Sequence, residues 1–273
     1  MPYVIRMPGQ SLPGGTGGST VRCENASVTH VTIIGGGPGG YEAALVASRL
    51  GAEVTLIERD GVGGSTVLTD CVPSKTLIAT SDLLTDVSGA AELGVEVPKA
   101  VRADLAAVDK RVLALALAQS ADIAERLVAS GVKVLSGTAT IESAQMVVVG
   151  DQRIETDAIL LATGAHPRVS DDAQPDGERI LTWEQVYALE ELPEHMIVVG
   201  SGVTGAEFAG AYNGLGATVT LVSSRDRVLP GEDADAATVI EEVFKRRGMT
   251  VLGNSRMQSV ERTDGGVRVT LTD

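Results

Sequence analysis

A glycine-rich turn between a strand and a helix occurs twice in this chain, and this repeat restricts the fold more than any other feature. The first turn is Gly35-Gly-Gly-Pro-Gly-Gly40, which follows the apolar residues 31–34. The second is Gly200-Ser-Gly-Val-Thr-Gly205, which follows the apolar residues 195–199. Both match G-x-G-x-x-G, the pattern of a dinucleotide-binding turn. The distance along the chain from Gly35 to Gly200 is much longer than the repeat unit of a solenoid, so the repeat predicts two domains of one type.

The remaining segments alternate between strand and helix patterns, as in an α/β protein. Apolar residues recur at helical spacing in the longest of these segments, and several short β-like segments end at glycines. The predicted helices are residues 41–50, 104–130 and 206–215, and the predicted strands are 53–58, short segments within 132–154, 157–164 and 217–222.

These patterns predict an α/β fold with two Rossmann-like domains and a small β-meander. Folded-type sequence begins near Val28, after a stretch rich in Gly, Ser and Pro that lacks the apolar core of a secretory signal. The predicted boundaries are a disordered leader at 1–29, a first domain at 30–168, a connection at 169–193 and a second domain at 194–273.

Composition excludes several classes of protein. The 273 residues are 44% apolar and only 3% aromatic, with 32 glycines, which favours an α/β protein with cofactor-binding turns over a β-sandwich. A net charge of −14 argues against binding to nucleic acid or to an anionic membrane, and no apolar run reaches the length of a membrane span. Two cysteines, Cys23 and Cys71, imply no disulfide framework and fit a reducing cytoplasm. No metal site is predicted.

The first glycine turn has the residues that a dinucleotide requires. Glycines allow a tight turn and a close approach of a pyrophosphate, and the helix N-terminus supplies N–H donors. A loop that binds nothing is the alternative, but two copies in the correct context argue against it. The predicted nucleotide-binding residues are Gly35, Gly37, Pro38, Gly39, Gly40 and, at the end of the second strand, Glu58, whose carboxylate can accept from ribose hydroxyls.

The second copy differs at the position that corresponds to Glu58. Ser223 stands there, followed by Ser224 and Arg225. Serines with a nearby arginine can donate to a ribose 2′-phosphate, which favours NADPH or tolerance of both cofactors. The alternative is that Arg225 and Arg227 are solvated turn residues. The predicted nicotinamide-cofactor residues are Gly200, Gly202, Val203, Thr204, Gly205, Ser223, Ser224 and Arg225.

A third motif lies between the two turns. Residues 63–75 read Gly-Gly-Ser-Thr-Val-Leu-Thr-Asp-Cys-Val-Pro-Ser-Lys. Pro73 is favoured in the first turn of a helix, so a helix is expected to begin near Cys71. The thiol of Cys71 is either a group that contacts a cofactor or substrate, or an inert remnant. The second interpretation is slightly favoured, because no partner thiol is nearby in the sequence.

The three motifs, in this order and with the Leu-Ala-Thr-Gly-Ala turn at 161–165, resemble the flavoprotein disulfide reductases, such as dihydrolipoamide dehydrogenase, glutathione reductase and mercuric reductase. In that family the third motif carries two cysteines, whose disulfide takes electrons from reduced FAD. Thr66 stands at the first of those positions, and a threonine cannot close a disulfide. The resemblance is strongest to an actinobacterial branch that lacks the disulfide and acts as an NAD(P)H:quinone reductase, over residues 70–75, 175–183 and 199–208.

The resemblance covers residues 28–273 and implies that the first domain binds FAD and the second NADPH or NADH. Family members continue beyond this sequence with further strands of the second domain, a Gly-Asp segment that contacts the flavin, and a domain that forms a homodimer. The chain is therefore expected to be truncated at its C-terminus, with the second domain incomplete. A homodimer is expected for the complete family member and is doubtful for this chain.

The resemblance also implies roles for individual residues. Lys75 is expected near flavin N5 and paired with Glu207 from the second domain, and this pair would tune the flavin. Lys75, Glu207 and Cys71 are thus the predicted catalytic residues. Further FAD contacts are implied for Gly64, Ser65, Thr66, Lys75, Ala139, Thr163 and Gly164.

The predicted function is hydride transfer from NAD(P)H through FAD to a small acceptor, most plainly a quinone, without a redox disulfide. The alternatives are a single-cysteine peroxidase or oxidase that uses Cys71, and a non-catalytic nucleotide-binding fragment. True dihydrolipoamide dehydrogenase activity is chemically disfavoured by Thr66. No nucleic-acid partner and no membrane span are expected, and the predicted location is the cytoplasm.

Overall fold

The structure is a computed structural model that describes residues 28–98 and 101–272. Most of the predicted leader at 1–29, together with Cys23, lies outside the described residues. The first half of the chain contains β1 His30–Ile34, α1 Pro38–Arg49, β2 Glu53–Glu58, α2 Gly64–Leu68, α3 Cys71–Gly89, a 3₁₀ turn Ala90–Leu93 and α4 Leu105–Ala129. It continues with β3 Lys133–Ser136, β4 Ala139–Ser143, β5 Met146–Val149, β6 Gln152–Glu155 and β7 Ala158–Leu161. The second half contains a 3₁₀ turn Val186–Ala188, β8 His195–Val199, α5 Val203–Leu215, β9 Thr218–Val222, α6 Ala234–Arg246, β10 Thr250–Leu252, β11 Arg256–Thr263 and β12 Gly266–Thr272.

Two compact units divide the chain, and their boundaries are not the predicted linear ones. The first unit takes in the described residues up to Leu68 and Ala118–Ala165, and the second takes in Thr69–Leu117 and the described residues from His166 onward. Residues 69–117, which were predicted within the domain 30–168, therefore belong to the second unit. Contacts between elements, rather than their order in the chain, set this division.

The first unit has a parallel sheet in the order β3-β2-β1-β7. Its strands are rich in Val, Ile and Leu because both faces of such a sheet are covered. Ile33 of β1 pairs with Leu56 of β2, and both are fully buried. The predicted meander is the antiparallel sheet β4-β5-β6, whose Val147 packs with Ile57.

The second unit repeats the same plan with the parallel order β10-β9-β8 and an antiparallel hairpin β11–β12. Its core is built around α5, where Tyr212 is fully buried and donates a hydrogen bond from its hydroxyl to the Val186 carbonyl at 3.1 Å. Leu77 of α3 and Leu221 of β9 belong to the same core. Each unit thus places a glycine turn between its first strand and the helix that follows that strand, as the repeat predicts.

An Arg262 clamp fastens the connection between the two glycine turns to the β11–β12 hairpin. Arg262 Nη1 lies 3.0 Å from Asp176 Oδ2, and Nη2 lies 2.5 Å from Glu178 Oε2. Oδ1 of Asp176 accepts the N–H groups of residues 178, 179 and 180 at 2.8–2.9 Å. These backbone donors hold the pKa of Asp176 well below its usual range. The predicted connection at 169–193 is therefore an anchored segment over this part.

Candidate cofactor-binding site

The outer glycines of each turn are required by the fold itself. Gly35 has a φ of +104°, and a Cβ there would lie 2.2 Å from the Ala162 carbonyl oxygen. A Cβ on Gly40 would lie 1.8 Å from the Gly35 carbonyl oxygen, and a Cβ on Gly205 would lie 1.8 Å from that of Gly200. A Cβ has no room at any of these three positions. Glycine therefore allows the first turn of the helix to pack closely against the end of the preceding strand in both units.

The middle glycines leave room for a ligand. A Cβ on Gly202 would meet nothing within 4 Å, and one on Gly37 would meet only the Gly64 Cα, at 3.9 Å. These glycines are the N-caps of α5 and α1, and neither helix has a side-chain cap or an acidic residue in its first turn. Their first-turn N–H groups and the helix dipole therefore favour an anion such as a pyrophosphate. Both turns fit the phosphate groups of a dinucleotide.

Glu58 is held in place by backbone donors. Its Oε2 accepts the N–H of Gly36 at 2.5 Å, and its Oε1 accepts those of Arg59 and Asp60 at 2.7 Å each. The carboxylate therefore lies at the glycine turn, as the motif predicts. Its contact with a ribose stays a prediction.

The predicted role of Ser223 disagrees with its hydrogen bonds in the structure. It is fully buried, and its Oγ donates to the Arg227 carbonyl at 2.9 Å while accepting from Ser201 Oγ at 2.7 Å. Its proton is thus already used, and the prediction that Ser223 donates to a 2′-phosphate is wrong for this conformation. Ser224 and Arg225 are exposed, and their contact with the cofactor stays a prediction.

Lys75 and Glu207 form an ion pair within the second unit. Lys75 Nζ lies 2.8 Å from both Glu207 carboxylate oxygens. The hydrogen bond to Glu207 raises the pKa of Lys75, with smaller contributions from Cys71 and Asp70. The predicted pairing is therefore present, but both residues belong to one compact unit rather than to two domains.

The close packing of α3 against α5 positions this pair. A Cβ on Gly214 of α5 would come within 2.1 Å of Ser81 Oγ of α3, so a larger residue there would force the Ser81 side chain to move. Cys71 begins α3, is exposed and is a free thiol. Cys71 and Lys75 lie one turn apart on this helix, so their side chains share one end of it.

The remaining predicted residues lie at the ends of strands and at the starts of helices. Pro38 and Gly39 begin α1, Val203 and Thr204 begin α5, Ala139 begins β4, and Thr163 and Gly164 follow β7. Gly64, Ser65 and Thr66 begin α2, where Ser65 is exposed. Their cofactor contacts stay predictions. The structure assigns the predicted FAD residues to the first unit, except Lys75, and the predicted nicotinamide-cofactor residues to the second.

Asp109 is a buried acidic residue that was not predicted from the sequence. This residue of α4 is only 4% exposed, and neither carboxylate oxygen has a hydrogen-bond partner among the described residues. Burial raises its pKa to about 7. The hydroxyl of buried Tyr187 also lacks a partner there, and its ring packs edge-on against Phe208 at 5.8 Å. An acidic residue on the apolar stripe of Leu105 and Val112 is the signal that could have identified it.

The family model described as pyridine nucleotide-disulphide oxidoreductase matches residues 29–273. The chain belongs to this family. Its members are FAD-dependent oxidoreductases that use NAD(P)H, so the predicted family, fold and pair of cofactors are confirmed at the level of the family.

The relatives of this chain have names that describe two different activities. A protein of Mycobacterium tuberculosis (strain ATCC 25618 / H37Rv) named NAD(P)H dehydrogenase (quinone) is 49% identical over 90% of this chain and 53% of its own length. A dihydrolipoyl dehydrogenase of Chlorobaculum parvum is 36% identical over 88% of this chain and 52% of its own. The crystal structure of LpdA from M. tuberculosis, 49% identical, matches with a TM-score of 0.83 over 90% of this chain and 55% of that one.

The chain thus spans about half the length of the curated relatives that it matches. Across the residues that the structure describes, every helix is too short or too polar to cross a lipid bilayer.

Proposed function

We propose that this chain carries the FAD- and NAD(P)H-binding parts of an oxidoreductase that passes electrons from NAD(P)H to a quinone-like acceptor without a redox disulfide. The observation that carries this proposal is Thr66, which stands where the family motif has its first cysteine. Cys71 is a free thiol, and a threonine offers no partner for it. The similarity to a protein named NAD(P)H dehydrogenase (quinone) supports the same acceptor class.

The first unit supplies the residues that would hold FAD. The turn from Gly35 to Gly40 offers backbone N–H groups and open space beside Gly37, which suits a pyrophosphate. Glu58 is fixed at the end of β2, where a carboxylate can accept from ribose hydroxyls. FAD supplies the two-electron chemistry when bound, and the protein supplies its position and electrostatic surroundings.

The second unit supplies the residues that would hold the nicotinamide cofactor. The open space at Gly202 and the uncapped N-terminus of α5 suit its pyrophosphate. Exposed Arg225 can donate to a 2′-phosphate, which favours NADPH over NADH or tolerance of both. The family resemblance supports placing these residues at the nicotinamide cofactor.

Lys75 and Glu207 would contribute electrostatic stabilisation and would not take part in forming or breaking covalent bonds. The Lys75 ammonium is charged at neutral pH, and its hydrogen bonds to Glu207 raise its pKa further above the ordinary value of 10.5. A fixed cation beside a group that gains electrons stabilises the reduced form, and Glu207 holds that cation in place. Reduction of a quinone to the quinol by NAD(P)H takes up one further proton, which water can supply, so no dedicated acid is required.

The acceptor, the homodimer and the cytoplasmic location belong to the proposal. A homodimer is proposed for the complete family member, and the cytoplasm is proposed from the low cysteine content.

The test compares two acceptors with one enzyme preparation. Purified protein loaded with FAD is assayed for NADPH and NADH oxidation with a soluble quinone and, separately, with lipoamide. We expect oxidation with the quinone and none with lipoamide. Lipoamide reduction in the absence of quinone would contradict the proposed electron path, and FAD binding measured in parallel shows whether the cofactor site itself is correct.

A further inference from the structure

Two buried serines connect the second glycine turn to the loop that follows β9. Ser201 is 5% exposed and Ser223 is fully buried, and Ser201 Oγ donates to Ser223 Oγ at 2.7 Å. Ser223 Oγ donates in turn to the Arg227 carbonyl at 2.9 Å and accepts the Arg225 N–H at 3.2 Å. This Ser201–Ser223 pair therefore ties the turn to both ends of the segment 225–227.

The first unit shows what the same two positions do with other side chains. Counted from the first glycine of each turn, Gly36 corresponds to Ser201 and Glu58 corresponds to Ser223. There the Gly36 N–H donates to the Glu58 carboxylate at 2.5 Å. In both units a hydrogen bond connects the two positions. The acceptor is an anionic carboxylate in the first unit, whereas in the second unit it is a neutral hydroxyl that can also donate. The second unit therefore presents no carboxylate at this point.

The backbone of Arg225 is held on both sides. Its N–H donates to Ser223 Oγ at 3.2 Å, and its carbonyl accepts the Asn254 N–H at 2.7 Å. Its side chain is exposed and forms no ion pair with another described residue. A fixed backbone with an uncommitted guanidinium is suited to binding an anion from solvent.

We propose that the Ser201–Ser223 pair is a positioning device for cofactor selection, which holds the loop so that Arg225 meets a ribose 2′-phosphate. The inference rests on the proposed NAD(P)H-binding function and adds Ser201 to it. Ser201 acts through Ser223 and the Arg225 backbone, without contact with the phosphate. The neutral hydroxyl pair also avoids the repulsion that a carboxylate at position 223 would exert on a phosphate.

The experiment measures binding of NADP⁺ and NAD⁺, which differ only in the 2′-phosphate, to the purified 273-residue chain by calorimetry. Ser223→Ala removes the two hydrogen bonds that join this side chain to the loop, at the Arg225 N–H and the Arg227 carbonyl. The variant is expected to weaken NADP⁺ binding by about fivefold and to change NAD⁺ binding by less than about twofold. Ser201→Ala is expected to shift the ratio in the same direction. The double variant is expected to lose no more than Ser223→Ala, because both serines act through one chain.

Ser255→Ala is the matched control. Ser255 lies in the same unit and its N–H donates to the Ser223 carbonyl, but its own hydroxyl donates to the Gly253 carbonyl at 3.0 Å. This variant is expected to leave the NADP⁺ to NAD⁺ ratio unchanged. Thermal unfolding of each variant checks that it is folded, and if Ser223→Ala is not, Ser201→Ala decides.

The binding data distinguish failure of the cofactor site from failure of the positioning role of the serines. A wild-type chain that binds neither nucleotide would overturn the proposed cofactor site and this device with it. A wild-type chain that binds NADP⁺, combined with serine variants that leave the ratio unchanged, would overturn the positioning role alone.

Discussion

Lys75 of α3 and Glu207 of α5 are 132 residues apart in the chain, and the Lys75 ammonium lies 2.8 Å from both carboxylate oxygens of Glu207. Lys75 is 55% exposed and Glu207 25%, so the pair contributes little to folding. Its geometry is nevertheless well defined, because α3 and α5 approach closely at Gly214. A well-ordered pair with little effect on stability is a candidate for a functional role.

Replacement of Glu207 by Gln is therefore expected to separate function from stability. The unfolding free energy should change by less than about 1 kcal/mol, while reduction of bound FAD by NADPH slows by about tenfold, which corresponds to about 1.4 kcal/mol in the barrier. Denaturant unfolding and stopped-flow spectroscopy measure the two quantities. Lys245→Ala, which removes a similarly exposed ion pair with Glu241, should leave FAD reduction unchanged.

The same pair predicts a pH dependence. The folded-state pKa of Lys75 lies above its ordinary value of 10.5. The small stability that the pair adds is therefore fully present at neutral pH and is lost only as the pH rises above 10.5 through the folded-state pKa. The difference in unfolding free energy between wild type and Glu207→Gln should be flat across neutral pH. If the difference in unfolding free energy changed with pH at values well below 10.5, titration of Lys75 would not be its cause.

Asp109 should destabilise the fold at neutral pH. Its pKa rises from 3.8 to about 7 on folding, so the unfolded state binds fewer protons between these values and stability falls as the pH rises through that window. Asp109→Asn should be more stable than wild type above pH 7 by on the order of 3 kcal/mol, with no advantage near pH 3. Unfolding titrations at several pH values measure this. Asp122→Asn, an exposed carboxylate on the same helix, serves as the control.

Asp176 should hold the connecting segment in place. Asp176→Ala removes the acceptor of three backbone N–H groups and one partner of Arg262, so trypsin should cleave after Arg179 faster than in wild type. Glu178→Ala removes only an exposed ion pair and should be cleaved at close to the wild-type rate. Because the pKa of Asp176 is lowered, its carboxylate is ionised at every pH at which trypsin is active, and the difference should be independent of pH in that range. Equal cleavage of the two variants would contradict the clamp.

Arg225 should select the 2′-phosphate directly. Arg225→Ala is expected to weaken NADP⁺ binding roughly tenfold, the typical effect of losing one charge-assisted hydrogen bond, and to leave NAD⁺ binding unchanged. Calorimetric titration measures both dissociation constants. Arg246→Ala, an exposed arginine of α6 in the same unit, should affect neither nucleotide. Comparable losses for both nucleotides would place Arg225 outside the 2′-phosphate site.

Thr66→Cys should restore the pair of thiols that the family motif contains. After mild oxidation, thiol titration is expected to detect Cys23 alone in this variant, whereas wild type and the matched variant Thr66→Ser keep the thiol of Cys71 as well. If Thr66→Cys retained its additional thiols, Thr66 would not occupy the position that the resemblance assigns to it.

The sequence was sufficient for features that depend on neighbouring residues. The two glycine turns, the strands that precede them and the helices that follow were predicted because apolar runs and G-x-G-x-x-G report local geometry. The pairing of Lys75 with Glu207 was predicted only through the family resemblance, since no local pattern joins residues so far apart. The structure corrected the division of the chain, because α3 packs against α5 and belongs with it.

The sequence by itself determined which chemistry each position can offer: Thr66 cannot form a disulfide, and Ser223 cannot act as a carboxylate. Only the tertiary structure decided how those groups are used. Burial directed the Ser223 hydroxyl to Arg227 rather than to solvent, and it left Asp109 without a hydrogen-bond partner among the described residues. The physical reason is that hydrogen-bond partners and solvation depend on which elements pack together, and residues distant in sequence decide that packing.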